Sequence, residues 1–179
     1  MDAERCDLPE ASGMRLKIAG ACLLLALSTS GAARATSGTH SIRGSWIGAI
    51  PCLFTHVKPV PGHLTTVEIT CNTSTIWLGG WTGVTHAIAK GTFNLVTGDS
   101  TGTISETFYG MATADRSVGT LKFSEVYRLD GATSTIHIVA TMVAATGDFA
   151  GATGRVVFDG VELLGLQGQG GYAGTWTRP

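Results

Sequence analysis

The sequence predicts an all-β fold, a single antiparallel domain built as a meandering barrel or a two-sheet sandwich, and three observations carry that expectation. From Thr36 to Pro179 apolar residues recur with period two, and no stretch sustains the i, i+3, i+4, i+7 stripe of an amphipathic helix. Turn signals separate the alternating runs at Thr97-Gly98-Asp99-Ser100, Asp130-Gly131 and Thr146-Gly147-Asp148. Glycine supplies 25 of the 179 residues, about twice its usual share, as many turns and close strand approaches require. At 44% apolar and 14% charged the chain is too apolar for disorder. A formal charge of -1 offers neither a basic field for nucleic acid nor a polybasic signal for anionic lipid.

The first element is a targeting segment. Residues 14–35 combine basic Arg15 and Lys17, an apolar run over 18–27, and Ala33-Arg34-Ala35 as a cleavage site, so cleavage is expected before Thr36. The product is expected to be secreted or held in the periplasm or cell envelope. The apolar run is about half of the roughly 20 residues that cross a bilayer, so no stable membrane insertion is expected after cleavage. Residues 1–13 carry Asp2, Glu4, Asp7 and Glu10 against Arg5 alone, the opposite of a basic start, and read as an upstream extension with Met14 as the initiator. Cys22 lies inside the apolar run and leaves with it.

The remaining chain, 36–179, is read as one domain. Alternation is cleanest in Ile42-Gly44-Trp46-Gly48-Ile50-Cys52, in Val67-Ile69-Cys71, in Leu121-Phe123-Glu125-Tyr127-Leu129 and in Ile136-Ile138-Ala140-Met142. Further strands are expected over 74–78, 83–95, 102–111, 154–164 and 171–177, eight or nine in all, with Asp159-Gly160 as a turn or a bulge. Inward Gly44 and Gly48 beside Trp46 suit the corners of a closed barrel. Cys52 and Cys71 most simply close one disulfide in an oxidising compartment. The alternative is a zinc site from Cys52, His56, His63 and Cys71, whose spacing matches no standard finger. The compartment favours the disulfide, and no metal or cofactor is expected.

Gly98-Asp99-Ser100-Thr101-Gly102 fits G-x-S-x-G, but a nucleophile elbow opens a helix and residues 103–108 read as strand, so a hydrolase is not expected. The glycine-rich 165–171 segment opens no helix that could cradle a phosphate and reads as a hairpin. Two acids stand out by phase. Glu125 shares the face of Leu121, Phe123, Tyr127 and Leu129, and Glu106 that of Ile104 and Phe108, while Thr120, Lys122, Ser124 and Arg128 take the opposite face. On an unbroken strand both carboxyls point inward, where desolvation suits them to exchange a proton with a ligand; a bulge would reverse the assignment. The alternative places them in water at a barrel mouth or beside an inward Arg, Lys or His.

The segment 146–160, Thr-Gly-Asp-Phe-Ala-Gly-Ala-Thr-Gly-Arg-Val-Val-Phe-Asp-Gly, followed by Gly170-Gly-Tyr-Ala-Gly-Thr-Trp176, resembles the closing strands of bacterial barrels related to allene oxide cyclase, including the small DUF3224-type domains of unknown function. The resemblance lies in the C-terminal half and implies an eight-stranded, lipocalin-like antiparallel barrel, with the β-sandwich as alternative. The wider family includes cyclases and dirigent proteins, but no catalytic constellation carries over residue by residue. Trp46, Phe108, Phe123, Tyr127, Tyr172 and Trp176 are the expected ligand-binding aromatics, with Trp77 and Trp81 as further core or lumen material. The leading expectation is an exported module that binds a small apolar or amphipathic molecule. An isomerase or cyclase acting through Glu125 and Glu106, and a structural envelope domain with a filled barrel, are the alternatives.

Overall fold

The computed structural model describes residues 38–162 and 168–179. The expected upstream extension and targeting segment, and part of the glycine-rich hairpin, lie outside the described residues. Eight strands follow in order: β1 (Gly38–Pro59), β2 (Thr66–Gly79), β3 (Trp81–Asn94), β4 (Ser100–Ala112), β5 (Val118–Asp130), β6 (Thr135–Gly147), β7 (Thr153–Val161) and β8 (Gln169–Arg178). Each pairs antiparallel with the next, and β8 returns to β1 from Gly38↔Arg178 to Ile47↔Gln169, so one sheet closes into a barrel. Closure uses the backbone donors and acceptors that two open edges would leave unpaired. The sandwich alternative is thereby overturned, since it needs two separate sheets. No helix occurs among the described residues, and none is long and apolar enough to cross a membrane.

Three expectations on strands are corrected. Runs 67–71 and 74–78 belong to the single strand β2, because Asn72 and Thr73 keep regular pairing with Ile88 and Ala87. Asp159-Gly160 is neither turn nor bulge; it pairs in regular register with Gly171 and Gly170. The row from Ile42 to Cys52 is not one buried face, because register shifts after Gly48 and Ile50 turn the chain, leaving Ile50 42% exposed and Cys52 half-buried.

Barrel curvature needs close strand approach at chosen points. A Cβ on Gly102 would stand 2.1 Å from the Lys90 carbonyl oxygen and 2.6 Å from its cross-strand partner Gly91 Cα, so glycine is required there on steric grounds. The connections at Gly80, 113–117 and 148–152 share one end of the barrel with the outer ends of β1 and β8. At that end Trp81, Ala112, Leu121, Phe149 and Trp176 are all buried in one apolar cluster. Arg178 seals it: its Nη2 donates to Ser117 Oγ at 2.6 Å, reaches Asp115 Oδ2 at 3.4 Å, and the guanidinium stacks 4.9 Å from the Trp176 ring. The connections 60–65, 95–99 and 131–134 lie at the opposite end.

Candidate functional site

Trp77 forms the hub of an aromatic layer across the barrel. It is 1% exposed, and its ring lies 4.8–5.7 Å from those of Phe158, Phe108, Tyr172 and Phe123 and 6.0 Å from Trp81. Tyr172 locks this layer to the Gly80 turn: its hydroxyl accepts from the Trp81 backbone N–H and donates to the Trp81 carbonyl, each at 2.8 Å. Such a layer divides the lumen. Beyond it, toward the 95–99 end, the barrel holds a cavity of about 130 Å³, walled by Trp46, Ile69, Ala87, Ala89, Ile104 and Tyr127 among others, with exposed Ile50 and Phe54 at its rim. The aromatic layer fills the lumen at the level of Trp77, and the cavity lies on its 95–99 side.

Four consecutive strands supply a polar belt: Thr75 from β2, Thr85 from β3, Glu106 from β4 and Glu125 from β5. Register explains their meeting. Glu106 pairs with Ala87 on one side, two residues from Thr85, and Ile104 pairs with Glu125 on the other, so the two carboxyls are diagonal neighbours on the inner face. The phase of β5 survives because the irregularity between β5 and β6 skips Val143 of β6 and leaves β5 itself unbroken. Glu106 is 6% and Glu125 3% exposed, so neither sits in water at a mouth. Their partners are each other and the two threonines, not an inward Arg, Lys or His. Trp77 Nε1 donates to Thr75 Oγ1 at 2.9 Å, Thr75 and Thr85 hydroxyls lie 2.7 Å apart, and Thr75 Oγ1 donates to Glu106 Oε1 at 3.5 Å.

Burial is the main cause that pushes both carboxyls up in pKa. For Glu125 the Glu106 charge and the hydrogen bond to Glu106 push the same way, well above its ordinary 4.5. For Glu106 the hydrogen bonds from Glu125, Thr85 and Thr75 oppose burial. The two carboxyls thus titrate as a pair joined by a shared hydrogen bond. Its Oε1 is buried with no hydrogen-bond partner, and Glu125 lines the cavity. Trp46 Nε1, on another lining residue, is likewise buried and unpartnered.

Of the expected site residues, Glu106, Glu125, Trp46 and Tyr127 line the cavity together. Phe108, Phe123, Tyr172 and Trp176 do not; they share the inward phase but pack in the dividing layer or beneath it. Phase assigns a face, whereas height along the barrel axis follows from cross-strand register. Sequence reasoning missed Thr75, Thr85, Ser100 and Glu162. Threonine and serine look like outer-face residues in an alternating strand, and Glu162 follows the last residue of β7. Ser100, which the G-x-S-x-G string highlights, opens β4: its hydroxyl donates to the Thr92 carbonyl at 2.9 Å and meets the Tyr127 hydroxyl at 3.0 Å. Burial is the first cause that raises the Tyr127 phenol and the Glu162 carboxyl.

Cys52 and Cys71 are joined in a disulfide at the cavity wall, as expected, with Cα atoms 5.3 Å apart. Both sulfurs are consumed, which displaces the zinc alternative, and no cluster of three or more metal-ligating side chains occurs among the described residues. The bond is compatible with an oxidising, extracytoplasmic location. No protein-family model matches the chain, and no curated protein matches it.

Proposed function

We propose that the protein is an exported barrel of the lipocalin-like, allene oxide cyclase-related type that holds a small apolar or amphipathic molecule in its lumen. The lumen carries this reading: an apolar-walled cavity of about 130 Å³ ends on a buried polar belt. An apolar cavity of about 150 Å³ takes up benzene, so one ring or a short branched chain is the size that fits. The eight-strand meander, with segments 146–160 and 170–176 running into its closing strands β7 and β8, supports the family resemblance. Export is supported by the disulfide and by the pattern of residues 14–35.

Calorimetric titration with benzyl alcohol tests the reading. Binding is expected, and Ala89→Phe, which sets a ring into the cavity, is expected to weaken it by about tenfold. Absence of binding, or binding untouched by Ala89→Phe, would refute a lumen site. A second reading has support in the carboxyl pair: an isomerase or cyclase in which Glu125 gives a proton to the bound molecule and Glu106 helps to recover it. On that reading Glu125→Gln abolishes turnover while leaving uptake of neutral molecules intact.

A further inference from the structure

The cavity is chemically one-sided. Glu106, Glu125 and Glu162 line it, and no Lys, Arg or His does so among the described residues. Six of its lining residues are aromatic: Trp46, Phe54, Trp77, Phe93, Tyr127 and Phe158. Glu125 lines this space, and its Oε1 is buried without a donor in a side chain 3% exposed. A buried acceptor left unpaired is costly, and it is satisfied by a ligand N–H or O–H. Charge then separates the candidates. A ligand carboxylate entering here would meet three carboxyls and no cation to offset its desolvation. An ammonium group would meet a carboxyl pair able to ionise and aromatic faces that attract a cation.

Resting on the lumen-binding reading above, we infer that the cavity selects a small lipophilic amine, one ring or short branched chain bearing an ammonium group with at least one N–H. The ammonium N–H donates to Glu125 Oε1, and the apolar part lies against Trp46, Ala89 and Ile104. Arrival of the cation displaces the proton that Glu125 shares with Glu106, and that proton leaves to solvent, so the site gains no net charge. The other groups facing this proton are the Thr75 and Thr85 hydroxyls, with Tyr127 and Glu162 farther along the wall. The hydroxyls are no bases at neutral pH, and capture of the proton by Glu162 would show as missing proton release in the titration.

The test is calorimetric titration of the purified protein at neutral pH with benzylamine, benzyl alcohol and benzoate, repeated in phosphate and in Tris to count protons from the difference in buffer ionisation heat. Benzylamine is expected to bind about tenfold more tightly than benzyl alcohol, with benzoate weakest, and to release about one proton per ligand. Glu125→Gln is expected to bring benzylamine down to about the affinity of benzyl alcohol. Benzyl alcohol or benzoate matching benzylamine overturns the inference and leaves lumen binding standing. A benzylamine preference without proton release, or one that survives Glu125→Gln, overturns it as well. If none of the three binds, lumen binding itself fails. Should Glu125→Gln not fold, the order of the three probes and the proton count on the unaltered protein decide.

Discussion

Glu125 carries its chemistry through its surroundings. Its folded pKa lies well above the ordinary 4.5, so between the two values the folded protein holds a proton that the unfolded chain has lost. Stability is therefore fully present below 4.5 and falls as pH rises through the folded pKa; Glu106, also raised, adds in the same direction. Each unit of pKa elevation removed is worth about 1.4 kcal/mol above the folded pKa. Glu125→Gln keeps the shape and removes the titration. Urea unfolding across this range is expected to show the midpoint of the unaltered protein falling with pH and that of Glu125→Gln falling much less. Equal slopes would show that burial of Glu125 is not what couples stability to pH.

At the scale of an element, β1 is the irregular strand. Its pairing with β2 shifts register three times between Gly48 and His56, each shift leaving backbone groups without regular partners. The Cys52–Cys71 bond spans this stretch, 19 residues apart in sequence, and ties the bulged part of β1 to the regular face of β2. The loop-entropy account assigns such a closure about 3 kcal/mol. The double variant Cys52→Ala, Cys71→Ala is accordingly expected to lose about 3 kcal/mol in chemical unfolding, with early hydrogen exchange confined to 48–58. Uniform loss of protection over all eight strands would place the disulfide's role in the whole barrel and not in β1.

Along the axis of the described barrel an apolar cluster packs at one level and the cavity opens at another, and truncations should report the difference. Leu121 is fully buried in the apolar cluster, so Leu121→Ala is expected to cost about 2–5 kcal/mol. Ile138 lines the cavity, where its outer atoms already face space, so Ile138→Ala is expected to cost less than half as much. Equal losses by urea unfolding would mean that the cavity is closed by repacking in solution.

Much of this architecture could be read from the residues themselves. Period-two alternation sets strand faces because successive side chains leave opposite sides of the backbone, and it correctly turned Glu106 and Glu125 inward, while the Cys52–Cys71 pairing was legible from the cysteine count and the expected compartment. What period two does not carry is height along the barrel, since every inward residue has the same phase whatever its level. Tertiary register alone decided that Phe108 and Phe123 pack beside Trp77 while Trp46 and Tyr127 face a cavity, and that Thr75 and Thr85 arrive beside Glu106. Bulges in β1 likewise escaped the alternation, although Pro51, with no N–H for the ladder, stands between the shifted pairs at Ile50 and Leu53. Sequence fixes which side of a strand a side chain takes by local covalent geometry; its neighbours there follow from strands distant in the chain, through hydrogen-bond register and closure.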